Sequence, residues 1–356
     1  MKIAILGDTH FGMRGDSIAF HNHYREFYLN TFFPYLVQNG ITTIFQMGDL
    51  FDRRKYISFQ SLALCRRYFF DQLVKHDIQC HVLLGNHDIF FKNTLEVNSP
   101  DLLLRDYTHN VILYDKPTQY ITLEDARIDV IPWICKDNEV EVMEFIKQSK
   151  NHVCFGHFEL AGFEMDRGNI CHEGMDASIL NKYDLVLSGH FHHKSNNGSI
   201  VYVGTPGEMT WADYNDDRGF HILDTETREL TFVPNPEKMF YKIQYNDDEM
   251  FYNDIVNADY SYLNGKYLKI VVEKRNNSFL FDTLIDTITK VAPLEIAVVE
   301  DFSEITDNVE VDIDQAEDTI TILNKYVDGL TLPVESDRIK TVLRDVYNEA
   351  LSMESA

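Results

Sequence analysis

Seven side chains able to hold metal ions recur along this 356-residue chain in five short motifs. The motifs are Gly7-Asp8-Thr9-His10, Gly48-Asp49-Leu50-Phe51-Asp52, Gly85-Asn86-His87-Asp88, Gly156-His157 and Gly189-His190-Phe191-His192. Asp8, Asp49 and Asn86 offer oxygen, while His10, His157, His190 and His192 offer imidazole nitrogen. A mixed oxygen and nitrogen set without thiolate suits manganese, iron or zinc better than calcium. Two ions held about 3.5–4 Å apart need a shared ligand, a carboxylate serves well, and Asp49 is the natural bridge. Such a pair brings the pKa of a bound water toward neutrality, which is the chemistry of phosphoester hydrolysis. One Asp-x-His or Gly-His says little alone. Five motifs in series, each after an apolar run, are far more specific.

Those runs are 2–6, 42–47, 80–84, 152–155 and 184–188. Each reads as a strand, and a strand fixes the loop at its C-terminal end, so distant residues can converge in one crevice. Segments 17–39 and 58–76 have helical apolar spacing between motif strands, which predicts βαβ connections. Residues 123–134 read as strand around Pro132, 139–150 as helix, and 200–203 and 219–223 as strands. The pair 219–223 and 229–233 forms a hairpin across 224–227. The predicted class is α/β, and Pro234-Asn235-Pro236 marks a boundary. Beyond it, strand 267–273, helix 280–291 and strand 294–299 predict a small α/β domain. In the tail, Ile313, Ala316, Ile320, Leu323 and Val327 share one helical face. After Pro333, a second face holds Ile339, Val342, Leu343, Val346 and Tyr347. This helical hairpin either packs on its own protein or docks on a partner helix. The expected divisions are 1–235, 236–305 and 306–356.

Composition sets the outer bounds. The formal charge is −25, which argues against bulk affinity for nucleic acid. Residues 300–356 hold 15 acidic and 4 basic side chains, a net of −11, which leaves −14 for the rest. Arg53-Arg54-Lys55 is a small basic cluster directly after the second motif. It either holds phosphate at the site or forms a solvated loop. Five cysteines without Cys-x-x-Cys spacing read as core thiols in a reducing compartment. No apolar stretch approaches the roughly 20 residues of a membrane helix, and the first residues do not read as a signal peptide. A cytoplasmic protein is expected, in the host cytoplasm if phage-encoded, with no membrane partner.

The order of the five motifs is similar to that of the calcineurin-like metallophosphoesterases. The Gly-Asp-Leu-Phe-Asp and Gly-Asn-His-Asp forms resemble the SbcD-type recombination and repair nucleases. Ile131-Pro132-Trp133, Phe155-Gly156-His157-Phe158-Glu159-Leu160, Tyr202-Val203-Gly204-Thr205-Pro206 and Asp217-Arg218-Gly219-Phe220, with Asp224-Thr225-Glu226-Thr227 after it, resemble the phage branch of these nucleases. The resemblance spans the chain and is most specific over 1–235. It implies two packed mixed sheets flanked by helices, followed by a smaller capping domain. It also implies one metal on Asp8, His10, Asp49 and His192, and a second on Asp49, Asn86, His157 and His190. His87 would be the general acid and Asp52 the residue that orients it. Asp88 would complete its motif in a structural or a catalytic role. The implied activity is that of a DNA nuclease subunit, a manganese-dependent 3′–5′ exonuclease and single-strand endonuclease. The implied partner is an SMC-like ABC-type ATPase with a long coiled coil, joined to a homodimer of this chain in a heterotetramer. The tail face Ile339, Val342, Leu343, Val346 and Tyr347 would grip that coiled coil. The alternative is a phosphatase or small-molecule phosphodiesterase on the same site, since Asp52-Arg53 resembles the Asp-Arg of phosphoprotein phosphatases. A scaffold with a dead site is disfavoured by the intact ligand set.

Overall fold

The structure, a computed structural model, describes residues 1–124, 126–166, 168–300 and 340. The expected tail helices, with Ile339, Val342, Leu343, Val346 and Tyr347, therefore lie outside the described residues. In chain order the strands are β1 (Lys2–Leu6), β2 (Thr43–Gln46), β3 (Gln79–Leu83), β4 (Val111–Tyr114), β5 (Gln119–Leu123) and β6 (Ala126–Ile131). Next come β7 (Val153–His157), the short pair β8 (Glu164–Asp166) and β9 (Asn169–Ile170), β10 (Leu185–Gly189), β11 (Ser195–Asn197) and β12 (Ile200–Tyr202). The last are β13 (Gly219–Asp224), β14 (Leu230–Pro234), β15 (Phe240–Asn246), β16 (Tyr267–Lys274) and β17 (Glu295–Glu300).

Two six-stranded mixed sheets, β14-β13-β1-β2-β3-β4 and β11-β12-β10-β7-β6-β5, pack against each other. Strand alternation explains the packing. In β1, Ile3 and Ile5 join the core between the sheets, while Ala4 and Leu6 join the core under the helices. In β7, Phe155 faces the first sheet and Cys154 the outer layer. Because both faces are covered, these strands read as continuous apolar runs rather than as alternating ones. β1, β2 and β3 run parallel in one sheet, and β7 and β10 run parallel in the other. The C-terminal ends within each set therefore lie at one edge, and all five motifs begin there.

The two long helical segments expected between the motif strands are present, but neither is uniformly α-helical. Ile18–Phe27 and Phe33–Gln38 flank a π-helical turn, Tyr28–Phe32. Phe59–Cys65 and Asp71–His76 flank another, Arg66–Phe70. Ser58 caps the second segment by accepting the Ser61 N–H. The π turns face each other. Tyr28 stacks on Tyr68 with centroids 5.8 Å apart, and Phe69 meets Tyr28 edge-on at 4.9 Å. Phe11, the residue after His10, plugs into this cluster, 5.4 Å from Phe69 and 6.0 Å from Phe70. The widened turns thus seat the first motif loop, in keeping with the tendency of π turns to occur near functional sites.

One expected strand needs correction, and the small domain holds two further elements. The strand expected at 123–134 is β6 alone, since Leu123 closes the neighbouring β5, the two join through a left-handed Glu124 (φ 51°), and β6 stops before Pro132, which has no N–H for a ladder. The small domain holds an unforeseen strand, β15, which completes an all-parallel sheet β15-β16-β17 around its own core. The short helix Tyr252–Asn257 in that domain was also not expected. Glu208 fastens the junction, accepting the N–H groups of Met239 (2.6 Å) and Phe240 (3.0 Å). All five cysteines are buried and unpaired, and no helix among the described residues is long and apolar enough to cross a membrane.

Phe69 is fully buried between the two long helices. Phe69→Ala should cost about 3–5 kcal/mol, read as a lower urea midpoint. An unchanged midpoint would show that the π-turn cluster does not hold the fold.

Candidate metal centre

Each of the seven expected ligands sits at the end of a strand, and the structure brings all seven together. Asp8 and His10 follow β1, Asp49 follows β2, and Asn86 follows β3. His157 ends β7, and His190 and His192 follow β10. Donor atoms of Asp8, His10 and His192 lie within 4.8 Å of one another, as do those of Asp49, His157 and His190. Asp49 Oδ2 stands between the groups, 3.3 Å from His157 Nε2 and 3.8 Å from His10 Nε2. Asn86 Oδ1 belongs to the second group, 3.2 Å from His157 Nε2 and 3.0 Å from His190 Nδ1.

The backbone at this edge is unusual. His10, Asp49 and His190 have φ values of 43°, 50° and 89°, a region that side chains other than glycine seldom enter. Two glycines permit the approach of the loops. A Cβ on Gly48 would lie 2.4 Å from His157 Nδ1, and one on Gly189 would lie 2.3 Å from the Met47 carbonyl.

The donor set tests whether ions fit. His157 Nδ1 donates to the Met47 carbonyl at 2.7 Å, which turns a free Nε2 toward Asp49 and Asn86. His10 Nε2 and His192 Nε2 face each other at 3.2 Å. Lone pairs from carboxylate, amide and imidazole thus converge where little water reaches, since Asp8, Asp49, His10 and His157 are all buried. Such a set repels itself unless protons or cations intervene, and divalent ions that accept nitrogen and oxygen fit it.

The titration pattern follows from the same crowding. Burial pushes the Asp8 carboxyl up to about 7, and the Asp49 charge adds to this. Burial also opposes ionisation of Asp49, but charge on His157, its hydrogen bond, and His10 and His87 outweigh that and hold Asp49 well below the usual carboxylate range. Burial disfavours the cationic form of His157, yet Asp49 and Asp8 carry it up to about 9. Burial and the neighbouring His157 lower His190 to about 3.

His87 is half-buried, with its ring edge-on to His10 at 4.9 Å. Its Nδ1 lies 2.5 Å from the main-chain carbonyl of Asp52, which leaves Nε2 for the site. This changes the expected part of Asp52. Its carboxylate approaches His10 Nδ1 at 3.4 Å, so only its carbonyl meets His87. Asp88 accepts three backbone N–H groups, from Leu50, Phe51 and Gly85, and so ties the second motif loop to the third. Arg53 is engaged with Asp16 at 3.2 Å and with the Tyr56 hydroxyl at 2.8 Å. Arg54 and Lys55 lie beside it on the wall of an adjacent groove.

Sequence reasoning gave no role to two neighbours of the centre. The Trp133 ring lies 5.1 Å from that of His190. Arg218, almost fully buried, donates to the His192 carbonyl, to Thr205 Oγ1 (2.9 Å), to Asp213 (2.6 Å) and to Asp216 (2.7 Å). His193 leans away onto Asp216 (2.8 Å), outside the ligand set. The signal for Arg218 was a lone basic residue after two aspartates, but its partners cannot be read from spacing.

A sequence profile described as calcineurin-like phosphoesterase matches residues 1–194. The chain is 34% identical over 340 residues to exonuclease subunit 1 of Enterobacteria phage T4, covering 95% of each chain. It is 25% identical over 394 residues to the SbcD component of the nuclease SbcCD of Staphylococcus epidermidis, covering 96% of this chain and 98% of the other. Among solved structures, an archaeal phosphodiesterase aligns at 16% identity over 66% of this chain and 99% of its own, with a TM-score of 0.34.

Two outcomes are expected. Asp49→Ala should retain fewer than two metal ions per chain in elemental analysis, and two retained ions would refute the shared ligand. Arg218→Leu should lower stability by about 3–5 kcal/mol, because Asp213 and Asp216 lose their buried partner. It should also weaken metal binding at constant temperature by freeing the His192 loop, and unchanged metal affinity would limit Arg218 to folding.

Proposed function

The chain belongs to the calcineurin-like phosphoesterase family, and from that premise we propose that it is a two-metal nuclease that hydrolyses DNA phosphodiesters. The observation that carries this reading is the pair of donor groups sharing Asp49, with the free Nε2 of His87 beside them. Asp8, His10, Asp49 and His192 would hold one ion, and Asp49, Asn86, His157 and His190 the other. Bound there, two divalent ions supply Lewis acidity toward the phosphoryl oxygens and lower the pKa of water. Manganese is the proposed metal, in keeping with the nitrogen and oxygen donors.

The protein's own groups supply the rest. Hydrolysis forms a bond from a water oxygen to phosphorus and breaks the bond from phosphorus to the sugar oxygen. That departing oxygen needs a proton, and His87 as imidazolium can give it from Nε2. The Asp52 carbonyl accepts the Nδ1–H throughout, which fixes the ring. Asp88 and Arg218 hold loops and do not touch the reacting atoms.

Relatives named as an exonuclease subunit and as one component of the nuclease SbcCD support a DNA substrate and a complex. The finer reading is 3′–5′ exonuclease and single-strand endonuclease activity, by a homodimer joined to an SMC-like ATPase. Helices in the tail would bind that partner, and the partner would supply basic surface that an acidic chain lacks. The proposed divisions are a nuclease domain at 1–235, a capping domain at 236–305 and a partner-binding tail at 306–356. The phosphatase reading gains nothing from Asp52-Arg53, because Arg53 is committed to Asp16 and Tyr56.

Cleavage of labelled single- and double-stranded DNA in manganese tests this, with a nitrophenyl phosphate ester as control. His87→Ala should keep both metals and lose about 10²–10⁴-fold in turnover. Near-normal turnover with intact metal content would remove His87 from the reaction, and ester hydrolysis without DNA cleavage, even with the ATPase added, would favour the phosphatase.

A further inference from the structure

We propose that the groove beside His87 holds an unpaired DNA base next to the cleaved phosphate, with Arg54 on the adjoining backbone. The inference rests on the nuclease reading and gives that site a preference for single strands. The groove encloses about 150 Å³ and is lined by Arg54, Tyr56, Ile57, Phe90 and Leu102 among others. Its two walls continue the segments that carry Asp52 and His87. Phe90 follows His87 by three residues, so their Cα atoms are at most about 11 Å apart.

Two independent observations point to an occupant. The first is aromatic rings left partly in water at the groove, Tyr56 62% and Phe90 38% exposed, with Phe91 48% exposed against Phe90. Phe90 and Phe91 brace each other edge-to-face at 4.8 Å, and Arg53 covers one side of Tyr56 at 4.8 Å. The second is Arg54. Its Nη1 is buried and has no hydrogen-bond partner among the described residues, whereas Arg53 alongside has Asp16. A buried unpaired guanidinium donor is costly, and an anion relieves it.

Flat rings with an unsatisfied cation are what a single-stranded nucleic acid engages, through base stacking and phosphate contact. An apolar peptide would use the rings but leave Arg54 unpaired. Charge decides further, because in a chain of net −25 this cation stands without a carboxylate partner among the described residues, beside the proposed phosphodiesterase site. A base inside a duplex has both faces stacked, so only an unpaired base can lie on Phe90.

The test uses the full chain with manganese and a single-stranded oligonucleotide carrying 2-aminopurine, whose fluorescence falls on stacking. Phe90→Ala should raise KM for the strand about tenfold and abolish the quench. Arg54→Ala should raise KM by a similar factor, and Phe90→Trp, which keeps a flat ring, should stay near the wild type. Unchanged KM and quench in Phe90→Ala would overturn the groove proposal, while DNA cleavage by the wild type would leave the nuclease reading intact. Should a variant also lose hydrolysis of a small phosphodiester, its metal centre is damaged, and the wild type decides the matter. A strand with one abasic residue beside the cleaved bond should then show a raised KM, and a KM equal to that of the intact strand would overturn the proposal. A wild type that cleaves no DNA, even with the ATPase added, would remove both readings.

Discussion

Asp49 Oδ2 lies between two imidazole nitrogens at a point from which water is largely excluded. The rest of the structure exists to make that position tolerable. Two carboxylates and several imidazoles lose their hydration there, and this loss must be offset by neighbours at fixed distances. Flexible loops would let the groups separate and rehydrate. Five strand ends in two packed sheets do not. The sheet-to-sheet core of Ile3, Ile5, Phe45, Phe155 and Leu187 therefore sets the spacing of the ligands as well as holding the domain together.

Supports behind the ligands show the same logic. Asp88 knots two motif loops through three backbone N–H groups, and Arg218 reaches from its aspartates to the carbonyl of His192. Phe11 anchors the first loop by burying a ring among those of the π turns. Each support acts on backbone near a ligand and leaves the ligand's donor atom untouched. The two carboxylates of the donor set also tie backbone, with Asp49 accepting the N–H of His87 (2.7 Å) and Asp8 that of His190 (3.0 Å).

Much of this was legible in the sequence because each motif is local. A glycine, one or two donors and a preceding apolar run sit within ten residues, so strand and ligand are read together. The unread parts are those whose meaning depends on a distant partner or on the backbone. Asp52 offers both a carboxylate and a carbonyl, and sequence cannot say that the carbonyl meets His87 while the carboxylate turns to His10. Arg53 looked available because Asp16 lies 37 positions earlier. The π turns left no trace, since a run of aromatics fits an α-helix equally well. β15 begins four residues after the Pro234-Asn235-Pro236 boundary, where composition marks a break in structure rather than the strand that follows it.

The left-handed backbone at His10, Asp49 and His190 has an evolutionary consequence. Each position carries a strain of about 1–3 kcal/mol that glycine would relieve. Replacing one of these side chains by glycine would relax the loop and remove a donor atom in one step. Drift runs toward a quieter, more stable and inactive protein, as the trade-off between function and stability predicts. This chain holds donor side chains at three positions where glycine would fold more easily, so stability alone would not place them there.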